Sequence, residues 1–162
     1  MGCAFLLSTV AQAQQPAVES QRFDDWELSC LPAAEDSKSS CRVSQQLAIK
    51  DSGQTVFALT ILPGTRKNEL VGIVSMPLGG YIAPGVELRI DGKKAYKLLV
   101  ETCNTSGCHA GFPVSAQLQK EMTSGKNAIF RIWTAKAKST DITVSLNGIT
   151  RALAALREQG SK

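Results

Sequence analysis

Apolar and polar residues alternate at every second position along much of this chain. Val86, Leu88 and Ile90 interleave with Glu87, Arg89 and Asp91, and Ile142, Val144 and Leu146 with Thr143, Ser145 and Asn147. Val43, Leu47 and Ile49 likewise alternate with Arg42, Ser44, Gln46 and Lys50. Successive side chains of a strand point to opposite faces, so this pattern predicts antiparallel strands with one wet face. Further strands are expected over 22–30, 55–62, 69–76, 96–102 and 127–135, about eight in all. Turn formers separate them at Asp51-Ser52-Gly53, Pro63-Gly64, Pro77-Leu78-Gly79-Gly80, Pro84-Gly85 and Asp91-Gly92. Short strands punctuated in this way predict an all-β fold, an antiparallel, immunoglobulin-like β-sandwich.

Only two segments read as helical. Residues 115–122 open on Ser115, a good N-cap, and stop before Gly125; residues 150–158 carry Ile149, Leu153 and Leu156 at i, i+4 and i+7. That apolar stripe is predicted to pack on the sandwich. Trp26 and Trp133 fall within strand patterns and are expected in the core. Residues 22–158 form the predicted single domain, and 14–21 and 159–162, which lack periodic apolar content, are expected to be loose tails.

Composition narrows the class further. Of 162 residues 43% are hydrophobic, 20% charged and 6% aromatic, which excludes disordered, collagen-like and coiled-coil chains. Eighteen Lys and Arg against 14 Asp and Glu leave +4, with small clusters at Arg66-Lys67, Lys93-Lys94, Lys136 with Lys138, and the final helix with Arg151 and Arg157. These read as a solvated face with a weak preference for anionic envelope surfaces. Aromatic residues are few and none interleaves with the basic clusters, so nucleic acid is not an expected partner.

Residues 4–13 are a short apolar run ending in Ala11-Gln12-Ala13, the small-x-small pattern cut by signal peptidases, and 1–13 is read as a secretory signal. Met1-Gly2 supplies no Lys or Arg, which places the true start upstream or marks the given start as misassigned. Lipidation of Cys3 is the alternative, although the apolar run follows that cysteine where an anchor signal needs it to precede. No segment reaches the ~18 apolar residues that cross a bilayer as a helix.

The other four cysteines fall into local pairs, Cys30 with Cys41 and Cys103 with Cys108. Four cysteines permit three pairings, and the residues do not choose among them. Export to an oxidising compartment makes two disulfides the expectation. Cys103-Asn104-Thr105-Ser106-Gly107-Cys108-His109 superficially resembles haem attachment, but Cys-x-x-Cys-His needs two intervening residues and this segment has four. A thiol redox pair would need the same short spacing at a helix N-terminus. A structural disulfide is therefore expected here, with His109 as a loop or sheet residue. A single histidine excludes sites built on two imidazoles, and no catalytic residue, metal or cofactor is expected.

The order of motifs is itself distinctive. Phe23-Asp24-Asp25-Trp26 precedes Cys30; Cys41-Arg42-Val43-Ser44-Gln45 follows; then come Met76-Pro77-Leu78-Gly79, the Pro84 to Asp91 strand, Cys103 with Gly107-Cys108, and Ser145-Leu146-Asn147-Gly148 before Leu156. This set resembles the invasion-associated locus B family of exported bacterial proteins over residues 23–156. Asp24 departs from it by standing where a glycine is usual, and Tyr81 by following Gly79-Gly80. The resemblance implies a β-sandwich in the periplasm, at the outer membrane or secreted, and an association with virulence through host-cell invasion. It implies no reaction. A non-enzymatic interaction protein is the leading expectation, its partner a protein or an envelope component; an exported redox enzyme using Cys103, Cys108 and His109, or a small-ligand carrier, is the alternative. Within 77–86, Leu78, Tyr81 and Ile82 lie among strand-breaking Pro and Gly, and these three are the predicted partner-binding residues on an exposed loop. The competing expectation folds Leu78 and Ile82 back into the core.

Overall fold

The computed structural model describes residues 19–31 and 40–159. The signal, Cys3, the tail before residue 19 and the last three residues lie outside the described residues.

Eleven strands and two helices are present among the described residues: β1 (Glu19–Phe23), β2 (Trp26–Leu31), β3 (Ser40–Ala48), β4 (Thr55–Pro63), β5 (Leu70–Met76), β6 (Val86–Ile90), β7 (Tyr96–Leu98), β8 (Thr102–Asn104), β9 (Gly107–Pro113), α1 (Ala116–Ser124), β10 (Asn127–Ala135), β11 (Lys138–Ser145) and α2 (Ile149–Gln159). They form an all-β sandwich of a seven-stranded sheet, ordered β1-β2-β3-β4-β5-β9-β8, and a four-stranded sheet, ordered β11-β10-β6-β7. The first five strands follow one another as an antiparallel meander. This is not the interleaved Greek-key order of an immunoglobulin domain.

Two corrections to the sequence reading share one cause, that periodicity does not report where a strand is broken. Residues 22–30 are not one strand but the β1–β2 hairpin, with Phe23 opposite Trp26 and Asp24-Asp25 as its turn. Asp24 has φ 53°, a left-handed conformation that Asp tolerates and Gly adopts freely, so the departure from the usual glycine falls on a residue whose backbone explains that glycine. Residues 96–102 divide into β7 and β8, which belong to different sheets. The pairing of β1 also begins at Glu19, inside the expected tail, and α2 runs through Gln159.

The core lies between the sheets, filled by alternate residues such as Trp26 and Leu28, Phe57, Leu59 and Ile61, and Val86, Leu88 and Ile90. Phe57 of β4 and Phe130 of β10 meet across it in a tilted pair with centroids 5.2 Å apart. Gly72 lies opposite Phe112, whose ring occupies the space a Cβ would need. Where the small sheet does not reach, α2 covers the large one: Ile149, Ala152, Leu153 and Leu156 are buried, and the helix contacts β1 to β4. An ion pair from Arg151 to Asp24 fastens α2 to the first hairpin. Ser115 caps α1, its Oγ accepting the Leu118 N–H at 3.2 Å.

One polar clamp ties the sheets together. Gln45 of β3 is buried, and its amide donates to the Ser145 carbonyl at 2.9 Å while accepting the Ser145 N–H at 3.1 Å. The Trp26 indole donates to the same carbonyl at 3.0 Å.

Candidate functional site

Strand register gathers several connections at one end of the sandwich. Met76 pairs with Cys108, so the β5–β6 loop and the β8–β9 hairpin emerge together. Tyr81 N–H donates to the Trp133 carbonyl at 2.8 Å, which brings the end of β10 alongside the same loop. The β5–β6 loop, residues 77–85, carries the chain from the large sheet to the small one.

Glycine makes that crossing possible. Gly85 has φ 77°, and a Cβ on it would run into the Leu98 carbonyl, so β7 lies against a position only glycine can fill. Its N–H closes a turn onto the Ile82 carbonyl at 2.9 Å. The loop is thus held at Tyr81 and at Gly85, and the side chains between point outward. Leu78 is 55% exposed, Tyr81 36% and Ile82 46%. Leu99, in the adjacent β7–β8 crossing, is 77% exposed. Leu78, Tyr81 and Ile82, with Val100, Ile132 and Trp133, line a cavity of about 180 Å³.

Leu78 and Ile82 therefore stay out of the core. Trp133, expected inside, is half-buried and lines this groove. Strand parity explains it: Ala128 and Phe130 face inward along β10, which turns Trp133 the other way. Trp26, by contrast, is fully buried. Parity could have located Trp133, whereas nothing local in the sequence marks Leu99 as a neighbour of Gly85 across two crossings.

Charge around the tip is positive. Lys136 lies in the turn after β10 and Lys138 opens β11, and among the described residues neither takes part in an ion pair. Farther down the same sheet the charges are matched. Arg131 binds Asp141 through two bonds of 2.7 and 2.8 Å, and the guanidinium holds that carboxyl below its usual range. Glu87 pairs with Arg89 at 2.8 Å.

Both disulfides are cross-strand links. Cys30 and Cys41 are register partners on β2 and β3, and Cys103 and Cys108 on β8 and β9. The second closes a hairpin and not merely a turn. Its tip is ordered by Asn104 Oδ1, which accepts the Ser106 N–H at 2.8 Å and the Ser106 hydroxyl at 2.6 Å. His109 lies on β9 opposite Ser75, with Nδ1 2.9 Å from the serine Oγ and Nε2 3.4 Å from Ser106 Oγ. Hydroxyls meet both ring nitrogens, and no carboxylate among the described residues hydrogen-bonds the ring to orient it as a base. No group of three or more His, Cys, Asp or Glu among the described residues is gathered closely enough for a metal. No described helix is long and apolar enough to cross a membrane.

Known proteins match this chain across most of its length. An invasion protein B homolog of Brucella abortus strain 2308 is 28% identical over 135 residues, covering 82% of this chain and 76% of the relative. A second homolog, from Brucella abortus biovar 1 strain 9-941, matches to the same extent. The crystal structure of invasion associated protein B from Bartonella henselae superposes with a TM-score of 0.77 at 20% identity, covering 88% of this chain and 97% of that one, and so shares the fold. The family model for invasion associated locus B protein matches residues 26–157, from the first buried tryptophan to the last turn of α2, and the chain belongs to that family.

Proposed function

We propose that this chain is an exported, non-enzymatic docking protein of the bacterial envelope or cell surface, and that it contributes to host-cell invasion through the apolar tip formed by the 77–85 loop. The observation that carries this reading is the tip itself: Leu78, Tyr81 and Ile82 stay exposed on a loop held in place by Gly85 and the Tyr81–Trp133 hydrogen bond, with Leu99 exposed in the neighbouring crossing. A preordered apolar surface loses little entropy when it is covered. The family is named for invasion and not for a reaction. Two disulfides suit an oxidising compartment, which agrees with the export signal read in residues 1–13.

In this reading Cys103–Cys108 is a staple. Its reduction potential is expected below about −300 mV; a value between about −120 and −270 mV would favour thiol redox work.

The docking role is tested by placing a photocrosslinking residue at position 81 in living bacteria, with position 67 in the β4–β5 turn as control. Adducts are expected from 81 and not from 67. With the photocrosslinking residue moved to position 78, Tyr81→Ala should abolish capture while costing no more than ~1–2 kcal/mol of stability, less than the ~3–5 kcal/mol of a fully buried aromatic. Equal labelling from both positions would refute the assignment of the tip.

A further inference from the structure

The occupant of the tip can be argued from its layering, given the reading of the tip as the working surface. We propose that the tip docks on an anionic phospholipid bilayer, its aliphatic and aromatic side chains entering the interface and its lysines meeting the headgroups. The outermost side chains are uncharged: Leu78, Tyr81, Ile82 and Leu99 come from two neighbouring crossings and cap one end of the sandwich. Trp133 lines the groove between them. Lys136 follows Trp133 by three residues, a reach of about 10 Å along an extended chain, and Lys138 pairs with Ala135 across the same turn.

An apolar crown with a basic collar is what the bilayer interface selects. Methylene and ring surface enters the acyl boundary while lysine stems extend their ammonium groups to phosphate. Neither Lys136 nor Lys138 has an ion-pair partner among the described residues, whereas the arginines lower on this sheet are matched to carboxylates. Two uncompensated positive charges thus stand at the end where the apolar side chains are exposed, with no acidic residue in the 77–85 loop or the 136–137 turn beside them, and the whole chain carries +4. Entry by loops leaves the strand pairing and both disulfides undisturbed.

The test uses the exported protein with both disulfides formed, and vesicles of phosphatidylcholine alone or mixed with phosphatidylglycerol. Partition is expected only onto the anionic vesicles, with Trp133 emission quenched by acyl-brominated lipid; Trp26, fully buried, serves as the constant background. Lys136→Glu with Lys138→Glu should weaken partition well beyond the about fivefold expected for each lysine removed, since each change also reverses a charge. Leu78→Ser with Ile82→Ser should weaken it at least about tenfold and abolish the quenching. Salt that shortens the Debye length to about 3 Å should release the protein. The crown pair is exposed, so both double variants are expected to keep the parent's thermal midpoint, and partition is compared only between folded proteins. Equal partition onto neutral vesicles, partition that neither double variant changes, or no partition at all would overturn the bilayer assignment. Position-81 crosslinks to a protein without vesicle binding would overturn it while leaving the tip as the working surface; absence of both would remove the tip as well.

Discussion

Gly85→Ala is the most direct perturbation of the tip, because Gly79 in the same loop provides an internal control. Both glycines have positive φ, 77° at Gly85 and 91° at Gly79. A Cβ at Gly79 would meet nothing within 4 Å, whereas at Gly85 it would collide with the Leu98 carbonyl, a backbone atom held by the β6–β7 pairing. Forcing an L-residue into the left-handed region costs about 1–2 kcal/mol at either site. The entropy lost by the unfolded chain on Gly→Ala offsets some of this, equally at both. Only Gly85→Ala adds overpacking, about 1–3 kcal/mol. The predicted losses are therefore about 1–2 kcal/mol for Gly79→Ala and about 2–5 kcal/mol for Gly85→Ala, read from urea midpoints with m held constant. If the loop yields in place of β7, the Tyr81 amide loses its bond to the Trp133 carbonyl, and its hydrogen exchange accelerates. Equal losses at the two glycines, within ~0.5 kcal/mol, with unchanged Tyr81 exchange would refute the argument that close approach to β7 sets the loop.

Other expectations follow from the fold. Gln45→Leu removes both hydrogen bonds to Ser145 and leaves that N–H buried without its acceptor, a loss of about 1–3 kcal/mol in urea unfolding; a change below ~0.5 kcal/mol would mean that the clamp contributes little. Replacing Cys30 and Cys41 by Ala should cost about 3 kcal/mol and replacing Cys103 and Cys108 about 2 kcal/mol, because the first pair closes the longer loop, with sequence separations of 11 and 5; the reverse order in thermal melts would show that loop entropy does not govern them. The Asp91 carboxylate accepts the Lys126 and Asn127 N–H groups, both at 2.9 Å, and these bonds hold its pKa below the ordinary value. Its contribution is thus complete above the unfolded value of about 3.9 and is lost as pH falls toward the depressed folded value. Asp91→Asn should flatten part of this acid limb when unfolding is followed from pH 5 to pH 2, and an unchanged limb would exclude the carboxylate as a source.

Alternation and punctuation were legible wherever a strand buries one face and ends at a glycine or proline. Strands β3 to β6, both helices and the all-β class could be read from residues such as Val86, Leu88 and Ile90, because burial of every second side chain is a local consequence of facing a core. The exposed loop with Leu78, Tyr81 and Ile82 was legible for the complementary reason, that Pro77, Gly79, Gly80, Pro84 and Gly85 cannot sustain a ladder. Strand β9 was not legible. Gly107–Pro113 contains two glycines and a proline, and it is extended because β5 offers it an edge six residues long, a partner far away in sequence. The same holds for the break between β7 and β8, which depends on which sheet each piece reaches, and for the site. Leu99, Trp133 and Lys136 join the 77–85 loop only when three connections from both sheets meet at one end of the sandwich. Periodicity records how a residue faces its own core, whereas strand order and the meeting of loops are set by pairing between distant segments, which no local window contains.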